Sequence, residues 1–293
     1  MGFTLTSNLT KAKCHQEDFL LIEHSLNGDR VALENLIEKY QNYIFTLCLK
    51  MLGHYEDAED AAQEILVKVI TNLSTFKQNS SFKTWVFRIA KNHIYSMANT
   101  LQRNKMNFES YSQSIKNSPD ISLDCSEARA SLLLEETRCH CLMGMLMCLD
   151  ETQRFSFILT EMFGLNSIQG AEIMEITPAA YRKKLSRARM KLGNFLNENC
   201  GLIDPNNSCR CYNKTKGLIN LGLINPDDLV LNQRSLSYLK EITRTKVKKF
   251  SKWYDRSCYE FFAKDFLHQS PDFRNYFRSI LSSSELKNIM KFN

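Results

Sequence analysis

Residues 167–197, SIQGAEIMEITPAAYRKKLSRARMKLGNFLN, decide how this chain is read. A helix from about Ser167 to Met174 is followed by a tight connection, Glu175, Ile176 and Thr177, and then by a second helix from Pro178 to about Leu196. Thr177 can cap that second helix, and Pro178 falls at its first position, where a missing N–H costs nothing. The spacing predicts a helix-turn-helix. The second helix carries Arg182, Lys183, Lys184, Arg187, Arg189 and Lys191, with no acid between Ile176 and Asn197. Such a run is commonly a solvated face. On the second helix of a helix-turn-helix it also suits base edges and phosphates in a major groove.

Moving toward the N-terminus, a helical domain begins near Ala128, preceded by a stretch that lacks periodicity. That stretch, 102–127, is rich in Ser, Asn and Gln and reads as a flexible polar linker. Before it, Leu33, Leu36, Ile37, Tyr40, Ile44, Leu47, Cys48 and Met51 recur at three-or-four spacing from Asp29 to about Gly53. A second helix follows the acidic start at Tyr55. Its Ala58, Ala61, Ala62, Ile65, Val69 and Leu73 form an apolar side, and Asp57, Asp60, Gln63, Glu64 and Lys68 a polar one. Ser80 or Ser81 caps a third helix striped by Phe82, Trp85, Val86, Ile89, Ala90, His93 and Met97. With a short helix from about Glu17 to Leu26 this makes a bundle of four. Phe82 and Trp85 lie in the core stripe, whereas Lys83, Arg88, Lys91, Asn92 and Tyr95 are better placed to reach DNA.

Composition agrees with this layout. The 293 residues contain only 10 Gly and 5 Pro, too few for sheets joined by many tight turns, so the expected class is all-α. The expected organisation is a helical bundle over 1–101, the linker 102–127, the helix-turn-helix domain 128–197 and an extension 198–293. Cations and anions balance as far as residue 198, so the formal charge of +6 resides in the extension. No stretch reaches the roughly 18 uninterrupted apolar residues of a spanning helix, and MGFTLTSNLTKAK has no apolar signal core. A cytoplasmic protein without membrane insertion is expected, and its ten cysteines are expected as thiols.

The first domain resembles region 2 of bacterial RNA polymerase sigma factors of the extracytoplasmic-function type, in DAEDAAQEILVKVITNLSTF (57–76) and FKTWVFRIAKNHI (82–94). The second resembles region 4, in LDETQRFSFILTEMFGLNSIQGAEIM (149–174) and TPAAYRKKLSRARMKLGNFL (177–196). The resemblance covers about residues 17–197. It implies a dissociable factor that directs core RNA polymerase to promoter DNA, with an anti-sigma factor as a further candidate partner. It also implies that Asp57, Asp60, Gln63 and Glu64 dock on the largest polymerase subunits. Arg182, Lys183, Ser186 and Arg187 match positions that contact the minus-thirty-five element, and Arg189 is grouped with them. The chain departs from the pattern in four places. Ser96 and Asn99 stand where Asp and Arg are usual, Glu175 replaces the turn Gly, and Ala179 and Ala180 replace Gly-Thr.

The extension lies outside the ordinary two-domain pattern. Cys200, Cys209 and Cys211 are candidate zinc ligands, with Cys258 or His268 as a fourth, although C-x8-C-x-C is no standard knuckle. A packed metal-free module and thiol redox chemistry are the alternatives. Cys139, His140, Cys141 and Cys148 read as core or incidental. The basic and aromatic stretch KVKKFSKWYDRSCYEFF (246–262) suggests a regulatory module acting on region 2 or on DNA. No phosphate-cradling Gly loop, HExxH or nucleophile elbow is present, so a non-enzyme is expected and no cofactor is required. The rival reading is a regulator that binds duplex DNA through its helix-turn-helix without polymerase; such a protein needs no acidic docking face over 57–68.

Overall fold

The computed structural model describes residues 16–100, 106–119, 121, 125–229, 231, 270, 271 and 273. Among these every regular element is helical, and only two isolated β-bridges occur. The expected all-α class holds. The chain divides into two compact units. The first is Met1–Leu101 with Glu172–Glu175 and Gln269–Asn293, and the second is Gln102–Ala171 with Ile176–His268. The basic stretch 246–262, Cys258 and His268 lie outside the described residues.

In the first unit, helix α1 (16–26) leads into α2 (Arg30–Leu52), α3 (Tyr55–Thr71) and α4 (Phe82–Thr100). Asp29 starts α2 by accepting from Val31 N and Ala32 N, at 2.9 and 3.1 Å. Gly53 ends it in the left-handed region, φ 78°, which a residue without a Cβ adopts at little cost. Ala58, Ala61 and Ala62 of α3 are buried, as are Leu36, Ile44 and Phe45 of α2 and Val86, Phe87 and Ala90 of α4. Small side chains on α3 let neighbouring backbones approach. Each fully buried Leu, Ile or Phe contributes about 1.5–3 kcal/mol relative to exposure. Ser81 caps α4 by accepting from Thr84 N at 3.1 Å. Tyr40 ties α1 to α2 by donating to the buried Asp18 at 2.7 Å. At the far end of the chain, Ser270 N and Oγ donate to Asn42 Oδ1 on α2 at 2.9 and 3.0 Å.

The second unit contains α5 (Phe108–Asn117), α6 (Glu127–Met147), α7 (Glu151–Phe157, continued by a π-turn Ile158–Met162), α8 (Ser167–Met174, whose last residues group with the first unit), α9 (Pro178–Asn199) and α10 (Cys211–Asn220). Helix α5 departs from the flexible linker expected over 102–127. Asn107 and Ser110 close a reciprocal capping box at its start, and Phe108 and Tyr111 pack their rings against Phe195 of α9 at 5.4 and 5.5 Å. The helix is therefore held by residues some 85 positions away, which no local pattern displays. The boundary expected at residue 198 is also displaced. Thr215 of α10 hydrogen-bonds Thr137 of α6 at 2.8 Å, and Leu231 N donates to the buried Glu136 carboxylate at 2.9 Å. The start of the extension is thus part of the helix-turn-helix unit.

Candidate nucleic-acid interface

Helix α9 begins where the sequence places it. Thr177 Oγ1 accepts from Ala180 N at 3.2 Å, with Pro178 at the first position. Its inner face is Tyr181, Leu185, Ala188 and Leu192, all buried. Tyr181 fixes the register: its hydroxyl donates to Ser156 O at 2.9 Å and lies 2.8 Å from Thr160 Oγ1. Burial pushes that phenol up to about 12, so it remains a donor. Gly170 of α8 supplies the room, since a Cβ there would come within 2.2 Å of the Tyr181 ring.

With that face turned inward, Arg182, Lys183, Ser186 and Arg187 are all exposed on the opposite side. The structure separates Arg189 and Lys184 from this set. Arg189 Nε donates to Glu161 Oε1 at 2.7 Å, and this carboxylate, only 2 % exposed, sits in the π-turn. Arg189 is therefore an anchor between α9 and the π-turn, whereas the sequence grouped it with the DNA-facing cations. Lys184 Nζ donates to Thr152 Oγ1 at 2.9 Å. Exposed Ile168 at the start of α8 and Met190 on α9 are apolar surfaces in the same unit.

In the first unit, Asp60 and Glu64 are exposed on α3, and Asp57 and Gln63 beside them are half-buried. Their helical spacing makes one face. Glu64 is also joined to an inner network. Its carboxylate lies 3.8 Å from Lys68 Nζ and 3.7 Å from His93 Nε2, while Lys68 Nζ is 2.6 Å from His93 Nδ1. An ammonium has only donors, so Nδ1 must accept and the imidazole proton sits on Nε2, toward Glu64. Burial, then the Lys68 charge, hold His93 below its ordinary range, against the opposing pull of Glu64.

Beside this network an open cavity of about 410 Å³ is lined by Lys68, Asn72, Thr75, Trp85, Ile89, Asn92, His93 and Ser96. Phe82 takes the core position expected of it and stacks on Trp85 at 5.4 Å, but Trp85 is only half-buried and forms part of the cavity wall. Of the α4 residues expected to reach DNA, Asn92 lines the cavity. Lys83 lies over the Tyr43 ring at 4.5 Å, and Arg88, Lys91 and Tyr95 occupy the same helix. Lys68, Asn72, Thr75 and His93 were not among the expected site residues. The four-three-four spacing of Trp85, Ile89, Asn92 and Ser96 is the signal that marks this face. An aromatic wall with amides and hydroxyls around it has the chemistry to take a base that has left its stack.

The expected zinc ligands run from Cys200, the C-cap of α9, through Cys209 in the loop that follows, to Cys211, the first residue of α10. Among the described residues, no three His, Cys, Asp or Glu side chains are grouped so as to hold a metal ion. Among them, too, no helix is long and apolar enough to cross a membrane.

Comparison with known proteins finds two family matches: Sigma-70 region 2 over residues 36–104 and Sigma-70, region 4 over residues 139–192. The chain is 38% identical over 71 residues to the ECF RNA polymerase sigma factor SigW of Bacillus subtilis (strain 168), which covers 24% of this chain and 38% of that protein. It is 27% identical over 179 residues to the ECF RNA polymerase sigma-E factor of Escherichia coli (strain K12), 60% of this chain and 93% of that protein. Among solved structures, CnrH in complex with the cytosolic domain of CnrY aligns with a TM-score of 0.46 at 20% identity, covering 62% of this chain and 97% of that one. Both family matches end before residue 193, so the extension is outside them.

Proposed function

We propose that this chain, which belongs to the sigma-70 family as an RNA polymerase sigma factor of the extracytoplasmic-function type, is a dissociable initiation factor that brings core polymerase to particular promoters. The observation that carries this reading is the conjunction of both sigma-70 regions, in order, with exposed Asp60 and Glu64 on α3 and exposed Arg182, Lys183 and Arg187 on α9. In this reading α9 enters the major groove of the upstream element with Arg182, Lys183, Ser186 and Arg187. Arg189 holds the helix in place rather than touching bases. The acidic α3 face, Asp57, Asp60, Gln63 and Glu64, docks on the largest polymerase subunits. The open cavity on α4 receives an unstacked base of the downstream element against Trp85 and Asn92, with Lys83, Arg88, Lys91 and Tyr95 along the strand. An anti-sigma factor covering these faces is the matching antagonist. The cytoplasm, where polymerase and promoter are, is the place of action.

Catalysis belongs to the polymerase, and nothing in this reading requires a cofactor of the chain itself. The test is a pull-down with core polymerase followed by run-off transcription from promoter DNA. Promoter-specific transcripts that depend on the added chain support the reading. Tight duplex binding by the chain alone, with no association with core, would instead favour a polymerase-independent helix-turn-helix regulator.

A further inference from the structure

The loop that follows the recognition helix, CGLIDPNNSCRC (200–211), is closed on itself by its own polar groups. Asn207 Nδ2 donates to Asn197 O and Cys200 O at 2.8 and 3.2 Å. Arg210 donates to Cys209 O at 3.1 Å and to Pro205 O at 2.8 Å. The Arg210 guanidinium lies over Gly201, where a Cβ would be 1.7 Å from Nη1. Gly201 N in turn donates to Cys209 O at 3.1 Å. These bonds bring residue 209 back beside residue 200 as a parallel β-bridge between the two cysteines.

Bridged backbones stand roughly 4.7–4.9 Å apart. A disulfide accepts Cα separations of about 4.4–6.8 Å. The backbones of Cys200 and Cys209 are therefore close enough for a disulfide, and both residues are partly exposed thiols. Two more thiols, Cys141 and Cys211, also partly exposed, are their neighbours. Cys141 on α6 has Cys211, Cys200 and Cys209 as electrostatic neighbours, and burial pushes the thiols of Cys141 and Cys211 up, so these two stay protonated. Protonated thiols are poor nucleophiles.

We infer that Cys200 and Cys209 form a reversible dithiol–disulfide site, oxidised by a hydroperoxide, that staples the end of the recognition helix to the root of the extension. One thiolate takes the terminal peroxide oxygen, the O–O bond breaks, and the alcohol (water, for hydrogen peroxide) leaves. The second thiol attacks the resulting sulfenic sulfur, the S–S bond forms and water departs. Two thiols and one hydroperoxide thus give one disulfide, one alcohol and one water, and a dithiol reductant reverses the change by exchange. The bond would act where several elements meet. Cys200 caps α9, and the adjacent Asn199 accepts from Ser112 of α5. Cys211 opens α10, which packs on α6 through Thr215 and Thr137. Oxidation would lock the α9 terminus, the loop and the start of α10 into one body.

The test is disulfide mapping of the full-length protein by non-reducing peptide mass spectrometry, after treatment with hydrogen peroxide and again after dithiothreitol. The exposed Cys125 serves as an internal thiol control. The expected result is a Cys200–Cys209 linked peptide that forms before Cys125 is consumed and disappears on reduction. In Cys209→Ser, Cys200 should then be trapped as a sulfenic acid by dimedone. Linkage mainly through Cys141 or Cys211 would overturn the inference. So would over-oxidation without a disulfide, or stoichiometric zinc in the purified protein that is released when these thiols are blocked. None of these readouts depends on the proposed role in transcription.

Discussion

His93 carries a proton balance that makes the first unit sensitive to acid. Its protonation is disfavoured in the fold by burial and by Lys68, so the unfolded chain binds the proton more readily. The contribution of neutral His93 to stability is complete above the ordinary histidine value of 6.5 and declines as pH falls below it. His93→Gln should flatten the dependence of thermal stability on pH below that point, measured by circular dichroism; an unchanged slope assigns the effect to another group. On the recognition helix, Arg187 is exposed on the face opposite Tyr181 and Leu185. Arg187→Ala should weaken promoter binding by about 1–3 kcal/mol if the guanidinium is bidentate to a guanine. Fluorescence anisotropy on promoter and random duplexes decides this, because an equal loss on both makes Arg187 a phosphate contact only.

Helices were legible in the sequence wherever a helix carried its own boundaries. Asp29 and Gly53 bracket α2, and Thr177 with Pro178 opens α9, as the cap geometry shows. Helix α5 was not legible, since Phe108 and Tyr111 gain their burial from Phe195 on a distant element. The role of Arg189 was hidden in the same way, because its partner Glu161 sits in a π-turn that no helical periodicity announces. Packing between α8 and α9 rests on Gly170 beneath the Tyr181 ring. Gly170→Ala should destabilise the second unit by about 1–3 kcal/mol through overpacking. Chemical denaturation would show it as a lowered midpoint, and a midpoint equal to wild type would mean that Tyr181 can shift without cost.

For the molecule as a whole, the second compact unit is larger than the 128–197 expected from the sequence, because residues beyond the region 4 match, which ends at 192, pack on α6. Residues 211–231 contribute Thr215, Lys214 and Leu231 to partners on α6 and beside α5, including Glu136 and Ser118. Truncation after Asn197 should therefore lower the melting temperature of the second unit. A melting temperature equal to that of the full chain in differential scanning calorimetry would make α10 a passenger. The cavity beside Trp85 emerges only in the folded chain, because it collects residues from α3, α4 and the turn between them, and only folding adds Cys141 to the thiols of the 200–211 stretch. In the proposed function the acidic face of α3 couples promoter recognition to polymerase, and run-off transcription with reconstituted core enzyme measures that coupling. An Asp60→Lys, Gln63→Ala double variant should keep its helicity and its duplex binding through α9 but lose core binding and promoter-specific transcripts. Undiminished transcription by that folded variant would mean that this face does not dock on the polymerase.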